Sequence, residues 1–263
     1  MCASKYNEDK DIYSLNFTIP GRVFIFNNRN FANKANYRVG SEKDVDRLLD
    51  LFEDLHFKVT TFIDETADQL REHIREIKKI DYDNVGCVLV FIMSHGTDGK
   101  IRGTDGEAVH LTDFIDPFKK ITSLKDKPKM FFVNACRGDT MTPTHDNVKE
   151  DVMDKEDANH DLNKANKTPL DADFLFVYST VANYFSIRDS ENGSWFIQIL
   201  CDMIEHFKSK KHILDILTKV NREVKHKEGR NEKGHLVKMH PTLTSQLSKD
   251  FYFCVNNSFV YFF

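Results

Sequence analysis

Two uninterrupted apolar runs, Gly86–Met93 (Gly-Cys-Val-Leu-Val-Phe-Ile-Met) and Met130–Val133 (Met-Phe-Phe-Val), constrain this chain more than any other feature. Neither alternates with polar residues, so a strand built from either has to be covered on both faces. Strands of that kind belong to parallel sheets clad by helices. The segments before them supply the covers. Val45, Leu48, Leu49, Phe52 and Leu55 recur at helical spacing behind Ser41, which can cap the helix, and Ala67, Leu70, Ile74 and Ile77 form one face of a second helix. With strands over Arg22–Asn27 and near Phe57–Phe62, the order is strand, helix, strand, helix, strand. Parallel neighbours need such crossovers, and these run right-handed, so the pattern predicts an α/β domain with helices on both faces of a parallel sheet. Further on, the spacing predicts a short helix over Leu111–Lys119, a strand over Phe174–Ser179, helices over Ser194–Phe207 and His212–Lys225, a polar loop over Gly229–Met239 and a last short strand at Phe251–Phe253.

The chain has 263 residues, 40% of them hydrophobic, enough for one large core or two small ones. A net charge of -4 and a pI near 6.3 give no electrostatic case for nucleic acid or an anionic membrane. No apolar run approaches the roughly 20 residues of a membrane span. The five cysteines, Cys2, Cys87, Cys136, Cys201 and Cys254, form no CxxC pair, and no signal peptide precedes them, so reduced thiols in the cytoplasm are expected. Metal-binding HExxH and phosphate-cradling GxxxxGK[ST] motifs are missing, so neither metal nor cofactor is expected. Between Asp139 and Ala172 the composition shifts to nine Asp or Glu against four Lys, with few large apolar residues. Such a segment cannot bury enough surface to order itself and reads as an acidic linker.

Both apolar runs end in reactive groups, Ser94-His95-Gly96 after the first and Asn134-Ala135-Cys136-Arg137-Gly138 after the second. Open α/β sheets place ligands in the crevice outside the carboxyl ends of their strands. A lone cysteine is more often a small buried hydrophobe than a nucleophile. An imidazole delivered to the same sheet edge tips the balance, because a thiol beside an imidazole supports covalent catalysis on a carbonyl.

The run from Asn134 to Gly138 resembles the caspase signature Gln-Ala-Cys-Arg-Gly, which also has a His upstream. Arg38 in Arg38-Val39-Gly40-Ser41, the run Phe185-Ser186-Ile187-Arg188 and the run Gly193-Ser194-Trp195-Phe196-Ile197-Gln198 match further motifs of that family in order. The resemblance implies a six-stranded, mostly parallel sheet in three layers. It also implies a short leader over 1–19, a large-subunit part over 20–138, a cleavable linker over 139–172 and a small-subunit part over 173–263. It assigns Cys136 as nucleophile, His95 as general acid and base, and the backbone N–H groups of Gly96 and Cys136 as oxyanion donors. Arg38, Arg188 and Asn134 then bind the carboxylate of an Asp before the scissile bond, with Phe185, Ser186 and Ile187 beside them and Trp195 walling a more distal subsite. Two departures stand out: Asn134 is one methylene shorter than the family's Gln, and Ile187 replaces a common Trp.

By that resemblance the chain is a cysteine endopeptidase of the effector type in apoptosis, with protein substrates, a homodimer of processed subunits, and inhibitor proteins or a related caspase among its partners. Asp154 and Asp157 are the expected processing positions. Asn134 and Ile187 motivate the alternative, a catalytically weak homologue that pairs with and regulates an active relative. A Cys-His peptidase of basic specificity is opposed by the two arginines. The aromatic tail Phe259–Phe263 matches no motif, and packing against the sheet or a second subunit is the simplest expectation for it.

Overall fold

A computed structural model describes residues 11–97, 99–137, 172–181, 186–230, 234 and 236–253. Along the chain run β1 (Arg22–Asn27), α1 (Ser41–Asp54), β2 (Lys58–Ile63), α2 (Ala67–Lys78) and β3 (Val88–Met93). An antiparallel excursion of β4 (Gly96–Thr97), β5 (Lys100–Arg102) and β6 (Ala108–His110) leads through α3 (Leu111–Lys119) to β7 (Lys129–Asn134) and β8 (Phe174–Tyr178). The hairpin β9 (Arg188–Asp189) and β10 (Gly193–Ser194) opens directly into α4 (Trp195–Phe207). Then come α5 (Ile213–His226), a second hairpin of β11 (Gly229–Arg230) and β12 (Leu236–Val237), and β13 (Thr242–Ser245).

Six strands form the central sheet in the order β13, β8, β7, β3, β1, β2. The last five are mutually parallel, and β13 runs antiparallel to β8 at one edge. Alternation along each strand sends side chains to two separate cores. Leu89, Phe91 and Met93 of β3 join Leu48 and Phe52 of α1 and the buried faces of α4 and α5. Val88, Val90 and Ile92 join Leu70 and Ile74 of α2 and Phe114 and Phe118 of α3. Helices thus cover both faces, and the architecture is three-layered α/β. Every residue of β3 and β7 is buried, as strands without alternation require.

Three expectations fail, each for a physical reason. Phe251–Phe253 is no strand. Phe251 and Phe253 bury their rings in the α1 core, edge to face at 5.1 Å, and side-chain packing rather than ladder pairing holds them. The sixth strand is the polar Thr242–Ser245, which lacks an apolar pattern because an edge strand leaves much of its surface in water. Ser41 does not cap α1. Gly40 takes the cap position at φ 91°, and Ser41 is buried with its hydroxyl accepting from Asn27. The Gly229–Met239 stretch contains the β11–β12 hairpin rather than only loop.

The amino-terminal segment is tied into the domain. Ile12 bridges Asp250, and Ile19 bridges Val85. Tyr13 is buried, and its hydroxyl donates to Asp173 at 2.5 Å while Ser248 donates to the same carboxylate oxygen at 2.6 Å. One carboxylate therefore joins residues 13, 173 and 248. Removing the phenolic hydroxyl leaves a buried charge short of a donor, so Tyr13→Phe is expected to lower the unfolding free energy by about 1–3 kcal/mol. Equilibrium urea denaturation checks this, and an unchanged midpoint would show that the bond carries no net stability.

Candidate active site

Parallel pairing sets the register of the sheet's carboxyl edge. Met93 lies opposite Asn134, and Asn27 lies opposite Met93. The residues just beyond these three strand ends therefore emerge side by side. They enclose a cavity of about 200 Å³ that collects His95, Cys136, Arg38 and Arg188. Ser94, Asn134, Ala135, Ser186 and Ser194 complete its lining.

Cys136 is half-buried at this wall, whereas Cys87 and Cys201 are buried in the core and desolvation pushes their thiols far up. The imidazole of His95 is held by the carbonyl of Asn36, 2.8 Å from Nε2. A carbonyl only accepts, so Nε2 carries the proton and the neutral ring keeps an open lone pair on Nδ1. Phe31 lies against the ring at 4.9 Å between centroids. Burial pulls the His95 pKa down first; the Asn36 bond opposes this, and the charges of Arg38, Arg188 and Arg102 add to it. Gly96 makes room for the thiol's loop, since a Cβ there would lie 2.7 Å from the Lys100 carbonyl and 3.2 Å from that of Cys136.

The two arginines reach the cavity from different elements. Arg38 is only 2% exposed and donates to Asn27 Oδ1 at 3.1 Å and to the Asn28 carbonyl at 2.9 Å. Arg188, on β9, donates from Nε to the Val39 carbonyl at 2.9 Å. Gly40 permits that approach, because a Cβ there would lie 2.4 Å from the Asp189 carbonyl. Burial, and then the charge of Arg188, pull the Arg38 pKa down to about 9, still high enough to leave it charged at neutral pH. Two planar cations on one small cavity suit a carboxylate, which they can grip through paired N–H···O bonds.

Beneath them lies a polar floor in which Asn134 and Ser186 were expected from the sequence and Asp44 was not. Asp44, fully buried on α1, accepts from the Ser194 N–H at 2.8 Å, the Ser194 hydroxyl at 2.5 Å and Gln198 Nε2 at 2.9 Å. Ser194 Oγ in turn accepts from Asn134 Nδ2 at 2.7 Å, and Ser186 Oγ donates to Asn134 Oδ1 at 2.8 Å. Burial raises the Asp44 pKa, while the Ser194 and Gln198 bonds and the charge of Arg38 lower it. A signal was there to read, since Asp44 continues the buried stripe of Leu48 and Leu51 on α1, a position where a charge needs partners.

Ile187 and Trp195, expected at neighbouring and more distal subsites, are not part of this cavity's lining. Ile187 packs against the α1 core, with its N–H donating to Met239 Sδ at 3.2 Å. Trp195 starts α4 and packs beside Gly229, away from the cavity lining. Phe185, Asp154 and Asp157 lie outside the described residues, as do residues 139–171 of the linker and the aromatic tail.

Comparison with known proteins agrees with this geometry. A model of the caspase domain matches residues 20–252. The chain is similar to Caspase-7 of Gallus gallus, 34% identical over 251 residues that span 92% of this chain and 79% of that protein. It is also similar to Caspase-3 of Oryctolagus cuniculus, 33% identical over 263 residues, 96% of this chain and 90% of that one. The crystal structure of Caspase-1 from Spodoptera frugiperda superposes with a TM-score of 0.81 at 28% identity, covering 98% and 99% of the two chains.

The ring of His95 offers a direct check. Its pKa is lowered, so protonation on acidification is expected below the ordinary imidazole value of about 6.5. Heteronuclear NMR of the ring nitrogens reads both the midpoint and the neutral tautomer. A midpoint above that value, or a proton on Nδ1 in the neutral form, contradicts the assignment.

Proposed function

The chain belongs to the caspase family, and from that premise we propose that it is a cysteine endopeptidase that cleaves proteins after Asp. The observation that carries this reading is the single cavity in which a half-buried thiol and an imidazole meet one buried and one half-buried guanidinium group. Arg38 and Arg188 take the carboxylate of the residue before the scissile bond, with Asn134 beside them. His95 Nδ1 accepts the proton of Cys136, and the thiolate attacks the scissile carbonyl carbon, moving its π pair onto oxygen. The oxyanion is met by the backbone N–H groups of Gly96 and Cys136. Collapse of the intermediate breaks the C–N bond, His95 returns its proton to the leaving amine, and water then hydrolyses the thioester with His95 as base.

The resemblance supports a wider setting as well. The chain acts in the cytoplasm as an apoptotic effector, made as a precursor and activated by a cut within residues 139–172. It works as a dimer of processed subunits, for which β13 offers an edge strand at the rim of the sheet.

A fluoromethyl ketone peptide ending in Asp reacts only with a thiol that is activated and placed beside a carboxylate-binding pocket. Labelling of the processed protein is expected at Cys136 alone, absent in Cys136→Ala. In Arg188→Ala it should be slower by about two to four orders of magnitude, as befits a carboxylate left without one partner. Processed protein that stays unlabelled and cuts no Asp peptide, yet raises the activity of a co-expressed relative, would establish the regulator instead.

Processing is expected after Asp157, where Ala158 is small and Asp154 lies upstream, or after Asp154. Mass spectrometry of the fragments decides the position. Full activity of an uncut chain, or cuts only outside 139–172, would refute activation by linker cleavage.

A further inference from the structure

Asn134 carries a side-chain amide whose two ends are nearly the same shape, so its orientation is decided by its partners alone. At one end stands Ser186 Oγ, at the other Ser194 Oγ, 2.8 Å and 2.7 Å away. Each hydroxyl can donate one proton and can also accept. Taken by themselves, two hydroxyls fit either orientation of the amide. What breaks the tie lies one bond further from the cavity.

Asp44 sits against Ser194, fully buried and 150 residues away in sequence. Its Oδ1 is occupied by two obligatory donors, the Ser194 N–H and Gln198 Nε2. Its Oδ2 faces Ser194 Oγ at 2.5 Å, the short separation of an O–H···O⁻ bond. An ionised carboxylate has only acceptors, so the Ser194 proton goes to Asp44. Ser194 Oγ then offers only lone pairs to Asn134, which must turn Nδ2 toward it. The carbonyl oxygen of Asn134 is left to receive the proton of Ser186. The amide keeps one N–H without a partner among the described residues, at the wall of the cavity that holds Arg38 and Arg188.

We propose that Asp44 is a positioning residue for substrate selection: through the Ser194 hydroxyl it locks the Asn134 amide so that its spare N–H joins the two arginines as a third donor to the substrate carboxylate. The inference rests on the proposed Asp-directed activity and adds to it the element that orients the pocket. It also explains how an Asn can serve at the floor of such a cavity. The shorter side chain is held from behind at both ends rather than left to find its own orientation.

Asp44→Asn reverses the relay. The Ser194 N–H and Gln198 keep the new carbonyl where Oδ1 was, so the new NH₂ donates to Ser194 Oγ, whose proton turns to Asn134 and calls for its oxygen. The amide flips. Ser194→Ala removes the relay without changing any charge. Matched peptides with Asp or Asn before the scissile bond are compared by kcat/KM in the parent and both variants. The Asp-to-Asn ratio is expected to fall by about tenfold in each, the loss of one hydrogen bond to a charged group. A purely electrostatic role for Asp44 predicts the opposite in Asp44→Asn, because the pocket becomes more positive and favours the carboxylate. A purely structural role lowers both rates together. A ratio that rises in Asp44→Asn, or stays within about twofold of the parent in Ser194→Ala, overturns the proposal; should Asp44→Asn fail to fold, Ser194→Ala decides.

A second readout needs no turnover. The side-chain amide protons of Asn134, assigned by their loss in Asn134→Asp, are expected to show one proton slowed in exchange in the parent, with the slowing lost in Ser194→Ala. Fast exchange of both protons in the folded parent overturns the relay. A chain that cuts neither peptide refutes the peptidase reading, and the exchange measurement then judges the relay by itself.

Discussion

The parallel register of β3 against β7 is the constraint on which the remaining geometry depends. It sets Met93 beside Asn134 and stacks Phe91 on Phe132 at 4.7 Å and 10°. A slip of one residue would turn every side chain of a strand to the opposite face. It would take Phe91 and Phe132 out of one core and separate the turn that carries His95 from the turn that carries Cys136. What resists the slip is the fit of alternate side chains into two differently shaped cores, since a close-packed interior does not accept one set of side chains in place of the other.

On that frame the site concentrates charge where solvent is scarce. Arg38 is buried, Arg188 is half-buried, and each is held by backbone or amide oxygens rather than by a carboxylate. Carbonyl dipoles orient a guanidinium without neutralising it, which leaves its charge available to a ligand. Asp44 is the nearby anion, yet its oxygens are spent on Ser194 and Gln198. It tempers the repulsion between the arginines through space while occupying none of their donors. Burial and then the charge of Arg188 bring the Arg38 pKa down, while burial raises the Asp44 pKa and the Ser194 and Gln198 bonds, with the charge of Arg38, oppose that rise.

Much of the fold was legible from periodicity. The expected helix over Leu111–Lys119 matches α3, and the apolar series of α1, α2, α4 and α5 fall on their buried faces. These segments are long enough for a repeat to be counted. The elements that escaped are short and polar. The hairpins β9–β10 and β11–β12 have two residues per strand, and β13 is an edge strand of Thr, Leu, Thr and Ser. Phe251 and Phe253 look like a strand because alternate rings are buried, but that pattern reports packing and not pairing.

The identity of the candidate reacting groups came from sequence alone. Cys136 and His95 each come directly after an apolar strand, and parallel strands deliver the residues beyond their carboxyl ends to one edge. Arg38 and Arg188 entered through motifs that read the same in one dimension as in three. The tertiary structure alone decided how those groups are aimed. The tautomer of His95 depends on a carbonyl 59 residues away, and the amide of Asn134 depends on Ser194 and, through it, on Asp44. The packing of Ile187 against the core and of Trp195 beside Gly229 was likewise settled only by the fold. Periodicity specifies which face a side chain takes; the direction of a hydrogen bond is set by the one partner that cannot reverse it, and chain folding alone brings that partner near.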